Sequence, residues 1–248
     1  MPRDLTAPAA DPVLLNARFA GQPAAAVLAH ALSGRMGRVA MVSSFGADSA
    51  VLLHMLAGIA PSTPVLFIDT LMLFPETLAY QRELAETLAL RDLRIITPDR
   101  NALFDQDADA LLHRARPDDC CTLRKTLPLA GALEGFDGWI TGRKRFQGGS
   151  REGLTAFEAE AGTGRIKLNP LAGWAAQDVA AYITRHALPR HPLVSRGYPS
   201  IGCMPCTSRV EKGEDIRAGR WRGQDKNECG IHFIDGRVVR GPLKENAA

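Results

Sequence analysis

Apolar and polar positions along the chain alternate between two periods. "RVAMVSS" (38–44) is a short apolar run and predicts a buried strand, whereas "DSAVLLHMLAGI" (48–59) repeats its apolar residues at helical spacing. "FGA" (45–47) makes a tight link between them. The grammar repeats with "PVLFIDT" (64–70), a predicted strand ending in a carboxylate, and a helix opening at "FPETLAYQRELAETLAL". There Pro75 suits the first turn and Glu76 the positive end of the helix dipole. "LRIITP" (93–98) predicts a third strand and "GWITGRK" (138–144) a fourth, which reads as the edge of the regular pattern. Residues 11–34 predict a helical lead-in, broken by "GQP" (21–23) and ended near Gly34.

Strands alternating with helices predict an α/β fold, a doubly wound and mostly parallel sheet covered on both faces. Ligands of such sheets sit beyond the carboxyl ends of the strands. After residue 144 the pattern loosens: "RKRFQGGSREG" (143–153) is a polar, glycine-rich loop and "IKLNPLAGW" (166–174) a short extended piece. "AAQDVAAYITRHAL" (175–188) is a last clear helix. The remainder has little periodicity and many reactive residue types, so it reads as a segment that builds a site. Asp235-Gly236, between "HFI" and "RVVR", suits a hairpin turn, with an unstructured end as the alternative.

The 248 residues are 46% hydrophobic and 23% charged, which fits an ordinary globular protein. A net charge of +3 does not point to nucleic acid, but the basic residues cluster in "RKR" (143–145) and "RAGRWR" (217–222), as for a local anionic ligand. The longest apolar stretch (50–60) is interrupted by His54 and is shorter than the roughly 20 residues a membrane span needs. No basic start leads into an apolar run, so no secretory signal is expected and the cytoplasm is the expected compartment. Five cysteines, an odd number, suit metal binding or catalysis better than a disulfide framework.

Three groups of residues carry candidate chemistry. In "SSFGADS" (43–49) the N-H groups at a helix N-terminus, with Gly46 allowing close approach and Ser43, Ser44 and Ser49 supplying hydroxyls, make a seat for phosphate. An ordinary turn capped by Asp48 is the plainer reading, and the absence of a Walker lysine disfavours hydrolysis of a nucleoside triphosphate. In "DCC" and "CMPC", Cys120, Cys121, Cys203 and Cys206 suit either a four-cysteine zinc site or, because adjacent thiolates crowd one ion but reach two irons, a 4Fe-4S cluster. If "DCCTLRK" is helical, Cys121 and Lys125 share a face, although Arg124 and Lys125 equally suit solvated charges. Cys229 stands alone in "KNECGIHF", and a nucleophilic role there needs cations such as Lys226, His232, Arg217 or Arg220 to favour the thiolate.

Together "SSFGADS", "FIDT", "DCC", "ITGRKR", "NPLAGW", "GYPSIGCMPC", "GEDIRAGRW" and "ECGIH" resemble, in order, the assimilatory adenylyl-sulfate reductases within the wider adenylyl-sulfate and phosphoadenylyl-sulfate reductase family. The resemblance implies a fold of the adenine nucleotide alpha hydrolase type over residues 1–215, carrying the nucleotide and iron-sulfur sites, and a C-terminal segment (216–248) with the nucleophile. It implies a 4Fe-4S cluster on Cys120, Cys121, Cys203 and Cys206. It also implies attack by Cys229 on adenosine 5'-phosphosulfate, and release of sulfite by thioredoxin or a similar dithiol protein. His232 would assist the nucleophile. Ser43, Ser44, Gly46, Asp48, Ser49, Lys125, Arg143, Lys144, Arg217 and Arg220 would hold the substrate. The 3'-phosphorylated nucleotide is the alternative substrate. An ATP-dependent nucleotidyl or thiolation enzyme of the same fold, and an iron-sulfur sensor binding nucleic acid, are more distant readings. No nucleic acid and no membrane are expected as partners.

Overall fold

The computed structural model describes residues 11–224, 226 and 228, together with the backbone of two short strands at 233–234 and 237–238. Six strands form the main sheet: β1 (Val39–Ser43), β2 (Val65–Ile68), β3 (Leu93–Ile96), β4 (Gly138–Ile140), β5 (Phe157–Ala159) and β6 (Ile166–Leu168), in the spatial order β3-β2-β1-β4-β6-β5. All neighbours are parallel except β5 and β6, so the doubly wound, mostly parallel sheet expected from the sequence is present. The register sets Met41 against both Val65 and Ile140.

One expectation needs correction, and one strand went unread. β4 is not an edge: β6 pairs with its far side, and Gly138 permits this, since a Cβ there would lie 2.9 Å from the Ile166 carbonyl oxygen. The true edge, β5, went unread because three residues in "TAFEAEAG" are too short to show a period of two. Its pairing comes instead from β6, across a turn in which the Glu160 N-H donates to the Arg165 carbonyl at 2.8 Å.

The helices are α1 (Pro12–Arg18), α2 (Ala24–Ala31), α3 (Ser49–Ile59), α4 (Pro75–Thr87), α5 (Arg100–Asp107), α6 (Leu112–Ala115), α7 (Pro117–Cys121), α8 (Leu127–Ala132) and α9 (Ala176–Arg185). As expected, α4 opens on Pro75 with Glu76 in its first turn. One face of the sheet buries Met41, Val65 and Phe67 against Leu28, Leu52, Leu53, Leu56, Leu84 and Ile183 of α2, α3, α4 and α9. The other face buries Ala40, Leu66 and Trp139 against Leu129 of α8 with Leu133 and Phe136. Each fully buried leucine stabilises the fold by about 1.5–3 kcal/mol, so both layers hold the strand ends in place.

The chain runs from β1 outward through β2 to β3, then returns to β4 on the other side of β1. The loops after β1 and β4 therefore diverge and leave a crevice at the carboxyl ends of these strands, where doubly wound sheets bind ligands. Near the C-terminus, β7 (Phe233–Ile234) and β8 (Arg237–Val238) pair antiparallel, as the hairpin reading of Asp235-Gly236 anticipated; the turn itself lies outside the described residues.

Candidate functional site

The crevice is an open cavity of about 270 Å³. Its walls include every described residue that the sequence nominated for the substrate: Ser43, Ser44, Gly46, Asp48, Ser49, Lys125, Arg143, Lys144, Arg217 and Arg220. The nominated catalytic residues Cys229 and His232 lie outside the described residues.

The loop after β1 is set by Phe45. Its side chain is fully buried edge-on against Phe67, with ring centroids 5.3 Å apart, while its backbone takes a left-handed φ of 46°. Such a conformation costs a non-glycine residue about 1–3 kcal/mol and persists where the surroundings enforce it. The Ser43 hydroxyl accepts from the Phe45 N-H at 3.2 Å, which fixes the turn. Asp48 does not cap α3 as the plainer reading had it; no side-chain bond to the helix end is made. Its carboxylate instead accepts from Lys144 Nζ at 3.1 Å, tying the loop after β4 to the start of α3. Lys144 is 3% exposed in its side chain and also donates to the Gly142 carbonyl at 3.0 Å. Burial lowers its pKa, and Asp48 opposes that shift.

Among the described residues, seven cationic side chains line the cavity: Lys125, Arg143, Lys144, Arg151, Lys167, Arg217 and Arg220. Asp48 and Glu228 are the carboxylates on its wall among the described residues. Arg143 is braced by Glu158 (2.5 Å) and Asn169 (3.1 Å), and burial lowers its pKa while Glu158 offsets the effect. Arg220 stacks over the Trp221 ring at 4.4 Å and packs on Gly202, where a Cβ would lie 2.2 Å from its Nη2. Its Nε is a buried nitrogen with no hydrogen-bond partner among the described residues. A buried donor without an acceptor costs about 1–3 kcal/mol, so Arg220 is shaped for an anion.

Three cavity residues escaped sequence reasoning. Lys167, in the middle of β6, carried a usable signal, since a lysine inside an apolar strand must be buried with a purpose. It sits 4.6 Å from the Trp139 ring centre, and desolvation, helped by Arg143, lowers its pKa to about 8 against the pull of Glu160 and Glu158. Arg151 and Glu228 carried no local signal. Arg151 Nη2 donates to Glu228 Oε2 at 3.0 Å, and Arg217 Nη2 lies 3.2 Å from Glu228 Oε1. Burial would raise the Glu228 pKa, but Arg151 and Arg217 overcome it and hold the carboxyl below its ordinary value.

The four nominated thiols line one smaller cavity next to the first, and Lys125, Arg220 and Trp221 form part of its wall. None of the four is in a disulfide. Among the described residues, no three cysteine, histidine or carboxylate side chains converge as ligands of a single metal ion. Cys120 and Cys121 end α7, and the chain then continues as a π turn (Thr122–Thr126) rather than the regular helix the i, i+4 reading assumed. Such turns gather at functional sites. Here the π turn carries Lys125, which lines both cavities. Arg124 is not a solvated charge: it is 5% exposed and donates to Asp107 Oδ2 from Nε (2.9 Å) and Nη2 (2.6 Å), and from Nη1 to the Thr70 carbonyl (3.1 Å).

The other pair is brought in by backbone stitching. Cys203 bridges to Leu73, the Met204 N-H donates to the Met72 carbonyl at 2.8 Å, and the Trp221 N-H donates to the Cys206 carbonyl at 3.1 Å. The Thr70 hydroxyl lies 3.2 Å from Cys203 Sγ. Burial is the main reason the Cys120 thiol is pushed up to about 12, with Arg124 opposing and Asp107, Cys203 and Cys206 adding. Without a metal it is a protonated thiol at neutral pH.

The phosphoadenosine phosphosulfate reductase domain family matches residues 38–209. An adenosine 5'-phosphosulfate reductase of Mesorhizobium japonicum is 50% identical over 195 residues, covering 79% of this chain and 76% of that protein. One from a Chelativorans species is 47% identical, covering 88% and 89%. A phosphoadenosine 5'-phosphosulfate reductase of Gloeobacter violaceus is 38% identical, covering 84% and 87%. The crystal structure of phosphoadenylyl-sulfate reductase from Candida auris superposes with a TM-score of 0.69 at 29% identity, over 80% of this chain and 96% of that one. Candida glabrata FMN adenylyltransferase, at 16% identity and a TM-score of 0.54, shares the fold alone. A family match over most of the sheet, with relatives up to half identical along most of their length, means that the chain belongs to the phosphoadenosine phosphosulfate reductase family.

Proposed function

We propose that the chain reduces adenosine 5'-phosphosulfate to sulfite and AMP in assimilatory sulfate reduction, through an S-sulfocysteine on Cys229. The observation that carries this reading is the cavity at the ends of β1 and β4, with, among the described residues, seven lysines and arginines around it and a buried Arg220 donor that has no acceptor. A phosphosulfate presents anionic oxygens on both phosphorus and sulfur, and charge-assisted hydrogen bonds to them are roughly twice as strong as neutral ones.

In the first step the Cys229 thiolate attacks the sulfur of the phosphosulfate. A Cys-S to sulfur bond forms, the bond from that sulfur to the bridging oxygen breaks, and its electron pair leaves with AMP. The wall cations hold the charge that develops on the departing phosphate. A dithiol protein, thioredoxin or similar, then attacks the Cys229 sulfur. Sulfite departs with the electron pair of the sulfur-sulfur bond, and the second thiol resolves the mixed disulfide and returns Cys229. His232 would assist by holding a proton near the nucleophile. The reducing cytoplasm suits both the free thiols and such a partner.

Cys120, Cys121, Cys203 and Cys206 would hold a 4Fe-4S cluster. The four share one cavity wall, and the adjacent thiolates of Cys120 and Cys121 would crowd a single tetrahedral ion but reach two irons. When bound, the cluster would supply fixed negative charge, and Lys125 and Arg220 are, among the described residues, the lysine and arginine that line both cavities. Iron analysis of anaerobically purified protein tests this, with about four irons per chain expected and a single zinc contradicting it.

The Gloeobacter relative, named for the 3'-phosphorylated nucleotide, keeps that substrate as the second reading. Sulfite production with thioredoxin and each nucleotide in turn tests the choice. Faster turnover of adenosine 5'-phosphosulfate is the expected result, and preference for the 3'-phosphorylated form would overturn it.

A further inference from the structure

Lys226 and Glu228 flank Asn227 just before Cys229, and their side chains are held by different parts of the fold. Lys226 Nζ pairs with Asp118 and donates to the Pro117 carbonyl at 3.4 Å, both on α7, and lies 3.4 Å from Cys121 Sγ. Glu228 is held by Arg151 and Arg217 in the cationic cavity. We infer that Lys226 and Glu228 are positioning residues, a two-point charge latch that anchors the chain immediately before the nominated nucleophile, Lys226 at the end of the cysteine helix and Glu228 in the anion cavity.

The charges make the register specific. Lys226 slid into the arginine cavity, or Glu228 slid onto Asp118, would meet like charge, which disfavours such misplacements. The Glu228 point is close to buried, with the side chains of Arg151, Arg217 and Glu228 15%, 14% and 19% exposed, whereas at the other point Lys226 is 8% exposed and its partner Asp118 56%. Solvent therefore screens the Glu228 pairs less than it screens surface pairs, while the Lys226 point rests also on its contacts with the Pro117 carbonyl and Cys121 Sγ. The wall also carries Lys167 and Arg220, whose buried Nε has no hydrogen-bond partner among the described residues, so the Glu228 pairs do not use all of its positive charge. The peptide bond keeps the Cys229 Cα within about 3.8 Å of the Glu228 Cα, so fixing Glu228 limits where the thiol can reach. The Lys226 contact with Cys121 also links the latch to the site proposed for the cluster.

This assignment rests on the reductase reading, and one experiment separates the two. Intact protein as purified is mixed with saturating adenosine 5'-phosphosulfate, without reductant, and quenched at intervals for mass spectrometry; AMP affinity is measured by calorimetry on the same samples. For E228Q and K226M, sulfonation should slow by about tenfold or more while AMP affinity stays within about threefold of wild type, and K226R should recover most of the rate. Sulfonation at the wild-type rate in both variants overturns the latch, as does a loss confined to AMP affinity. Faster sulfonation with tighter AMP binding in E228Q also overturns it, because Glu228 would then be a competitor of the substrate. If the wild-type protein takes up no SO3 at all, the reductase reading itself falls.

Discussion

Lys144 and Asp48 come from loops 96 residues apart in sequence, yet Nζ and Oδ2 lie 3.1 Å from one another, joining the carboxyl ends of β1 and β4 across the point where the sheet changes direction. Lys144 is the buried partner, while Asp48 keeps about a third of its side chain exposed. D48N leaves a buried ammonium without its counter-charge and should cost about 2 kcal/mol, after allowance for the exposed carboxylate. In the D48N/K144M double variant most of that stability should return, while nucleotide affinity should not. Thermal melts and AMP titrations of the cycle check this, and an additive double variant would contradict it.

Arg124 and Asp107 form a more enclosed pair, with side chains 6% and 0% exposed. Asp107 Oδ1 also accepts from the Leu112 N-H at 2.8 Å, so one carboxylate secures both the π turn and the start of α6. D107A should lower stability by about 3–5 kcal/mol, as expected when a buried charge loses its partner. Urea melts measure it. A change below about 1 kcal/mol, the level of a surface pair, would show that the contact is not the anchor of the cysteine helix.

Gly202 is needed for what lies against it rather than for backbone freedom. A methyl group there would displace the Arg220 guanidinium from its place over Trp221. G202A should fold with near wild-type stability and bind AMP about tenfold more weakly, the equivalent of one charge-assisted contact. Equal affinity in calorimetry would mean that Arg220 is not an anion ligand.

Lys167, with its pKa brought down to about 8 by burial, gives the site a pH signature. An anion in the cavity favours the protonated lysine, so nucleotide affinity should fall by up to about tenfold per pH unit as pH rises through 8. K167M should remove that dependence. The stability sign is opposite: between the folded value of about 8 and the ordinary lysine value, the unfolded chain holds the extra proton, so stability gains with pH across that window. Calorimetry in buffers of different ionisation heat reads the proton uptake directly.

The sequence made the central strands and the helices beside them legible because each carries enough residues to show a period, as in 38–44 and 48–59. β5 was not legible, since three residues have no period and its pairing depends on β6. The phosphate-seat residues and the clustered cations stood out by type and neighbourhood, and the fold gathers them in one cavity. The Arg124 pairing was hidden because Asp107 reaches it through tertiary packing, 17 positions away. Glu228 was hidden for the same reason: Arg151, its partner, is 77 positions distant in a loop without pattern.

The central claim is that Cys229 accepts the sulfonyl group of the bound nucleotide. Peptide mapping by mass spectrometry, after incubation with adenosine 5'-phosphosulfate and no thiol, tests it most directly. The account predicts one SO3 unit on the peptide bearing Cys229, lost as sulfite on addition of thioredoxin; an unmodified Cys229, or the adduct on another cysteine, would contradict it.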